Sequence, residues 1–92
     1  MKYLIIKNND EIIEKIELGR PAFKSIEVEA EYMKRMYAKD KIIKEWDAQN
    51  KLEWNHQNET FDVKKEIPGG MEAFVVACIE YEMSLKYDIE EV

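Results

Sequence analysis

The chain has 92 residues, of which 46% are hydrophobic, 11% aromatic and 37% charged. This length suits one domain and is too short for two independent cores, and the apolar content is too high for a disordered chain. Twenty acidic and fourteen basic residues give a net charge of −6, which argues against binding nucleic acid by neutralising phosphates. We therefore expect a single folded domain, residues 1–92, that makes no direct contact with nucleic acid.

The location of the protein also follows from composition. No apolar stretch approaches the roughly 20 residues needed to span a bilayer, so a membrane protein is not expected. Cys78 is the only cysteine and cannot form an internal disulfide. We expect a cytoplasmic protein, since a reducing compartment suits an unpaired thiol.

The first 18 residues have the pattern of a β-hairpin. Residues 2–7 are a β-branched run that meets the turn-forming cluster at residues 8–10, after which Ile12, Ile16 and Leu18 recur in near alternation. Gly19 and Pro21 are expected to end the second strand.

The next segment has an ambiguous period. Residues 26–32 alternate strictly, as in a strand, but an apolar face at helical spacing is also present: Ile26, Ala30, Met33 and Tyr37. Helix-forming residues dominate, and Ser25 stands near the expected start. We favour a helix over about residues 23–38 and keep the strand as an alternative.

The rest of the chain predicts more strands and a second helix. Residues 41–46, 52–56 and 60–67 are separated by polar breaks and are typical of a three-stranded meander, which should form the body of the sheet. Residues 71–87 predict a helix, the clearest element of the sequence. The resulting prediction is an α+β fold, with a small antiparallel sheet (N-terminal hairpin plus meander) packed with two helices.

The first half of the C-terminal helix is apolar almost all round, whereas a helix that packs on one side of a sheet needs only an apolar stripe. A thin core of this size would also gain from a partner subunit. We expect a homodimer, and the candidate interface residues are Met71, Phe74, Val75, Cys78 and Ile79.

No residue pattern predicts catalysis or metal binding. His56 is the only histidine and Cys78 the only cysteine, and they lie too far apart in the sequence for the close ligand spacing of a metal site. Cys78 has acidic neighbours that would raise the pKa of its thiol, which disfavours a thiolate nucleophile. The Gly69-Gly70 turn is not followed by the Lys and Ser/Thr of a phosphate-binding loop. We expect no enzyme activity, no metal and no cofactor.

The acidic residues are unevenly distributed, and the last 24 residues hold six acids and one base. A second acidic cluster lies at residues 27–31, with carboxylates spaced on the order of 6 Å apart in either a strand or a helix. Such spacing is of the same order as that of phosphates along a nucleic acid. The predicted partner-binding surface therefore consists of Glu27, Glu29, Glu31, Glu72, Glu80, Glu82, Asp88, Glu90 and Glu91. The basic residues between the two clusters must then point elsewhere; they are Lys34, Arg35, Lys39, Lys41 and Lys44.

In length, acidity and a Lys/Glu/Ile/Asn-rich composition that begins M-K-Y-L-I-I-K-N-N-D, the whole chain resembles the Arn family. These are anti-restriction DNA-mimic proteins of T-even-type bacteriophages. The resemblance implies an acidic homodimer in the host cytoplasm that occupies the DNA-binding surfaces of basic host proteins. The implied partners are the restriction endonuclease McrBC and the nucleoid-structuring protein H-NS.

An alternative interpretation involves a different surface. The chain would then be a phage-type adaptor or inhibitor that binds a host enzyme through an apolar and aromatic patch including Trp46 and Trp54. Tryptophan is enriched among the residues that contribute most to protein–protein binding.

Overall fold

A computed structural model describes residues 1–92 and contains two helices and five strands. In chain order these are β1 (Lys2–Asn8), β2 (Glu11–Glu17), α1 (Ile26–Ala48), β3 (Leu52–Asn55), β4 (Thr60–Val63), α2 (Gly70–Ser84) and β5 (Lys86–Glu91). The strands form two antiparallel sheets, one with the order β2-β1-β5 and one with β3 beside β4. The predicted α+β class is confirmed.

Strand β1 lies at the centre of the larger sheet. Leu4 pairs with Ile16 of β2 on one side and with Ile89 of β5 on the other. The predicted hairpin of β1 and β2 is confirmed, and its two turn residues, Asn9 and Asp10, both have positive φ angles of 51° and 65°. Two consecutive left-handed residues are what a tight hairpin turn requires, and Asn and Asp tolerate that conformation well.

Helix α1 runs ten residues beyond its predicted end. It begins at Ile26, three residues after its predicted start, where the Ser25 hydroxyl caps it by accepting a hydrogen bond from the Val28 amide (3.2 Å). The strand predicted at residues 41–46 is wrong, since these residues continue the helix. Ile42 and Trp46 are four residues apart and both buried, so they extend the inward face that also carries Ala38.

The predicted meander is therefore a two-stranded hairpin. Its second and third predicted strands are present as β3 and β4, in which Leu52 pairs with Val63 and Trp54 with Phe61. The hairpin forms a sheet of its own rather than the body of the main sheet. It packs against α1 and α2 instead.

The C-terminal helix ends at Ser84, three residues before its predicted end, and the chain then forms the unpredicted strand β5. Leu85 adopts an extended backbone, and the Ser84 hydroxyl donates to the Tyr81 carbonyl (2.6 Å). Glu90 and Glu91 therefore do not follow the C-terminus of a helix. Both lie on a strand that pairs with β1 along its whole length.

The core consists of two small clusters that share helix α1. The first lies against the three-stranded sheet and contains Leu4, Ile6, Leu18, Ala30, Ala38 and Leu85. The second lies beside the hairpin and contains Ile42, Trp46, Leu52 and Phe74. Tyr81 of α2 packs against both clusters. Only 12 of the 92 residues are buried, so the core is thin.

One buried carboxylate joins the sheet to α1. The side chain of Glu29 is 1% exposed, and it accepts hydrogen bonds from the amide of Gly19 (2.7 Å) and from the amide of Arg20 (3.1 Å). The Arg20 guanidinium donates a further bond at 2.9 Å. Burial alone would raise the pKa of Glu29, but these donors outweigh it and hold the pKa below its usual range.

We expect Glu29→Gln to lower the free energy of unfolding by about 2 kcal/mol at neutral pH, because hydrogen bonds to a charged acceptor are lost. The lowered pKa means that the carboxylate contributes stability above its unfolded pKa of about 4.3 and loses it as the pH falls through the folded value. Urea unfolding at pH 7, 5 and 3 should therefore show a difference between the two proteins that shrinks towards pH 3. Glu27→Gln, an exposed change on the same helix turn, is the control and should have little effect at any pH.

Candidate binding surface

The nine predicted acidic residues lie on three separate elements. The first three are in the opening turns of α1, the next three are spread along α2, and the last three are on β5. Glu29 cannot contact a partner, because it is buried beneath Arg20. Its place in the predicted surface is therefore wrong.

Three further acids of this set are ion-paired within the chain. Glu82 lies 3.4 Å from Arg35, and Asp88 lies 2.6 Å from Lys7, which raises the pKa of that lysine through their hydrogen bond. Glu90 lies 3.5 Å from Lys15. These pairs are at least partly exposed and contribute little to stability, but each cancels negative charge that a partner would otherwise meet.

Glu31 has a different partner, the Tyr87 hydroxyl, which donates to its carboxylate at 2.8 Å. This hydrogen bond raises the pKa of Tyr87. The remaining four acids of the set form neither an ion pair nor a side-chain hydrogen bond: Glu27, Glu72, Glu80 and Glu91.

The basic residues of α1 do not all lie away from the acidic residues. Arg35 contacts Glu82 on α2. Lys34 lies over the ring of Tyr87 and Lys41 over that of Tyr37, each 5.5 Å from the ring centre. Lys39 has no ion pair and faces the space between α1, α2 and the hairpin.

An aromatic pocket lies at that junction. Trp54 and Phe61 stand opposite each other on β3 and β4, with ring centres 5.1 Å apart and planes at 74°. They are 46% and 37% exposed and line a cavity of about 450 Å³. The other lining residues are Lys39, Ile43, Leu52, Glu59, Thr60, Asp62, Val63, Met71 and Phe74. We call this cavity the aromatic pocket.

A second cavity of about 450 Å³ adjoins the aromatic pocket, and Lys39 and Phe74 line both of them. It runs between α1 and α2 as far as the Arg35–Glu82 pair, with Val75, Cys78 and Ile79 along its α2 wall. Both cavities are lined mainly by apolar residues and each also has side chains of both signs of charge in its lining.

The solvent side of α2 is also apolar. Five side chains there are between 45% and 77% exposed, namely Met71, Val75, Val76, Ile79 and Met83, and we call them the outer face of α2. Phe74, predicted at a dimer interface, is instead buried in the core, with its ring edge-on to that of Trp46 at 5.3 Å. Burial of Trp46 likewise removes it from the proposed aromatic patch.

Cys78, the single cysteine, is half-buried on α2. Burial raises the pKa of the Cys78 thiol and nearby Lys39 only partly offsets it. The pKa of Cys78 is thus raised, as predicted, but the cause is burial rather than the acidic neighbours. No three His, Cys, Asp or Glu side chains are grouped to hold a metal ion, and neither helix is long and apolar enough to cross a membrane.

The two tryptophans should report their different environments. In Trp46→Phe, which leaves only Trp54, we expect fluorescence emission near that of exposed indole and strong quenching by acrylamide. In Trp54→Phe, which leaves only buried Trp46, emission should shift to shorter wavelength and quenching should fall several-fold. Equal quenching of the two variants, with both folded by circular dichroism, would contradict the exposed position of Trp54.

Comparison of the chain with models of known protein families, with curated proteins and with solved structures gives no match.

Proposed function

We propose that the protein is not an enzyme and that it acts by binding another protein, as an inhibitor or adaptor, through the aromatic pocket. The observation that carries the proposal is the exposure of Trp54 and Phe61 above a cavity that has room for a partner's side chain. An aromatic side chain buries on the order of 150–250 Å² when it is fully covered, and roughly two fifths of that area is still exposed at Trp54 and Phe61. Tryptophan is typical of the few residues that dominate binding energy.

The lining of the pocket indicates what the partner supplies. The apolar interior formed by Leu52, Val63 and Phe74 suits an aliphatic or aromatic side chain. Lys39 stands at the wall without an ion pair, so a carboxylate beside the inserted side chain would find a cation there. Asp62 on the opposite rim already accepts a hydrogen bond from Asn55 (2.8 Å) and is less available. Glu59 also lines the pocket without an ion pair and would favour a base, so only the apolar character of the partner segment follows from the lining.

A second candidate function is the acidic DNA mimic, an inhibitor of a McrBC-type nuclease that also binds H-NS. It is supported by the net charge of −6, by the four unpaired acids Glu27, Glu72, Glu80 and Glu91, and by the resemblance to the Arn family. The ion pairs of Glu82, Asp88 and Glu90 and the burial of Glu29 weaken its charge pattern. Both candidates place the protein in the host cytoplasm, where its single thiol stays reduced.

The two candidates predict opposite effects of two variants. In an affinity capture from bacterial lysate with the immobilised protein, Trp54→Ala should lose the specific partner, a change of about 2 kcal/mol or more, or at least roughly 30-fold in affinity. The double charge reversal Glu27→Lys with Glu80→Lys should retain it. If the charge reversal abolishes capture and Trp54→Ala does not, the aromatic pocket is not the binding site.

A direct test of the mimic uses purified H-NS bound to a labelled DNA duplex at low salt. A mimic displaces the duplex, and the displacement weakens steeply with added salt and with the Glu27→Lys/Glu80→Lys double variant. If the wild-type protein leaves the duplex bound at every concentration up to 100-fold excess, the mimic function towards H-NS fails.

A further inference from the structure

The aromatic pocket and the second cavity share part of their lining, since Lys39 belongs to both. Along α1 the residues that line the two cavities run from Arg35 to Ile43, which is about 12 Å at the rise of a helix. Along α2 they run from Met71 to Glu82, which is about 17 Å. The two cavities taken together therefore extend over about three helical turns.

The outer face of α2 supplies an apolar wall to both cavities. Met71 lines the aromatic pocket, and Val75 and Ile79 line the second cavity. These three side chains recur every four residues and are 45% to 52% exposed. The apolar surface that a partner can cover is therefore not limited to Trp54 and Phe61.

The elements around the cavities determine which backbone conformation suits a bound segment. Helices α1 and α2 form their backbone hydrogen bonds internally, so the space between them offers no sheet edge to an extended segment. The β3–β4 hairpin has strand edges, but it borders only the aromatic pocket. An extended segment in the second cavity would thus leave its own amides and carbonyls unpaired, whereas a helical segment pairs them internally.

The charges of the second cavity favour an acidic residue in the bound segment. Arg35 and Glu82 pair with each other at 3.4 Å, whereas Lys39 has no ion pair. Glu59 balances Lys39 in the aromatic pocket, but Glu59 does not line the second cavity. A carboxylate in the second cavity would therefore find an unpaired cation in Lys39.

We infer that the partner binds as an amphipathic helix of about three turns, which lies along the aromatic pocket and the second cavity with an acidic residue beside Lys39. Its apolar side chains recur at three- and four-residue spacing and pack on Trp54 at one end and on Ile79 at the other. The inference rests on the proposed function, because the aromatic pocket receives one end of this helix. The homodimer expected from the sequence would cover the same wall of α2, so a second copy of the chain is the competing occupant.

A phage-displayed library of random 16-residue peptides, selected on the immobilised protein, tests the conformation of the bound segment. We expect the selected peptides to carry apolar residues at helical spacing with an acidic residue among them. Proline at a central polar position should weaken binding at least about 100-fold because it breaks the helix, whereas alanine there should have little effect. Alternating apolar residues, tolerance of proline, or no peptide that binds more tightly than 100 µM overturns the inference.

Substitutions at the two ends of the site separate this inference from the proposed function. Trp54→Ala and Ile79→Ala should each weaken binding of the selected peptide at least about ten-fold. Met83→Ala is the matched control and should not, since Met83 is 77% exposed on α2 but lines neither cavity. If only Trp54→Ala weakens binding, the inference fails and the proposed function stands. If Trp54→Ala has no effect, the proposed function fails as well.

A charge exchange tests the place of the acidic residue. Lys39→Glu should weaken binding of the selected peptide, and replacing the peptide's acid by lysine should restore at least about ten-fold of the lost affinity. Lys44→Glu is the control, because Lys44 is exposed on α1 and lines neither cavity. If the exchange restores nothing, the acid does not lie beside Lys39.

Sedimentation equilibrium between 1 and 100 µM tests the competing occupant. We expect one peptide to bind each chain at every protein concentration in this range. A wild-type dimer that excludes the peptide, and that Ile79→Ala separates into protomers, shows that a second copy of the chain fills the site. That result overturns the inference.

Discussion

The buried carboxylate of Glu29 is the contact on which the arrangement of the larger sheet and α1 depends. It receives three N–H donors from Gly19 and Arg20, at the point where the chain leaves β2 and approaches the helix. A carboxylate in an apolar environment is costly unless its oxygens are satisfied, so this loop has few alternatives to the observed conformation. The direction of α1 across the sheet follows from where that loop is held, and α1 in turn carries both core clusters.

The same contact explains why acidic content is a poor guide to an acidic surface here. In the sequence, Glu29 looks like the middle member of a regular row with Glu27 and Glu31. In the helix, a step of two residues rotates it by about 200° from Glu27, onto the inward side. On the sheet, Lys7 and Lys15 of β1 and β2 come opposite acids that are more than 70 residues away. Net charge is additive along the chain, whereas the field at a surface depends on these pairings.

The elements that rest on local information were predictable. The hairpin turn at Asn9 and Asp10, the cap at Ser25 and the helix after Gly70 are each specified by neighbouring residues. The continuation of α1 through residues 41–46 was missed because Ile42, Ile43 and Trp46 fit a strand as well as a helix. Strand β5 was missed because its partner, β1, lies at the other end of the chain. The site was harder to predict. The exposure of Trp54 and its pairing with Phe61 depend on the register of the hairpin, and the burial of Glu29 and Phe74 depends on how α1 and α2 pack.

The sharing of α1 between the two clusters has a consequence for how the molecule opens. Ala30 and Ala38 belong to the cluster under the larger sheet, and Ile42 and Trp46 to the one beside the hairpin, yet no break separates them along the helix. If either cluster unfolds, one half of the continuous helix α1 loses its packing. Tyr81 of α2 packs against both clusters. Amide hydrogen exchange should be slowest around residues 38–42, where the two clusters meet, and should rise towards both ends of α1. The two clusters are thus expected to lose their structure as one cooperative unit.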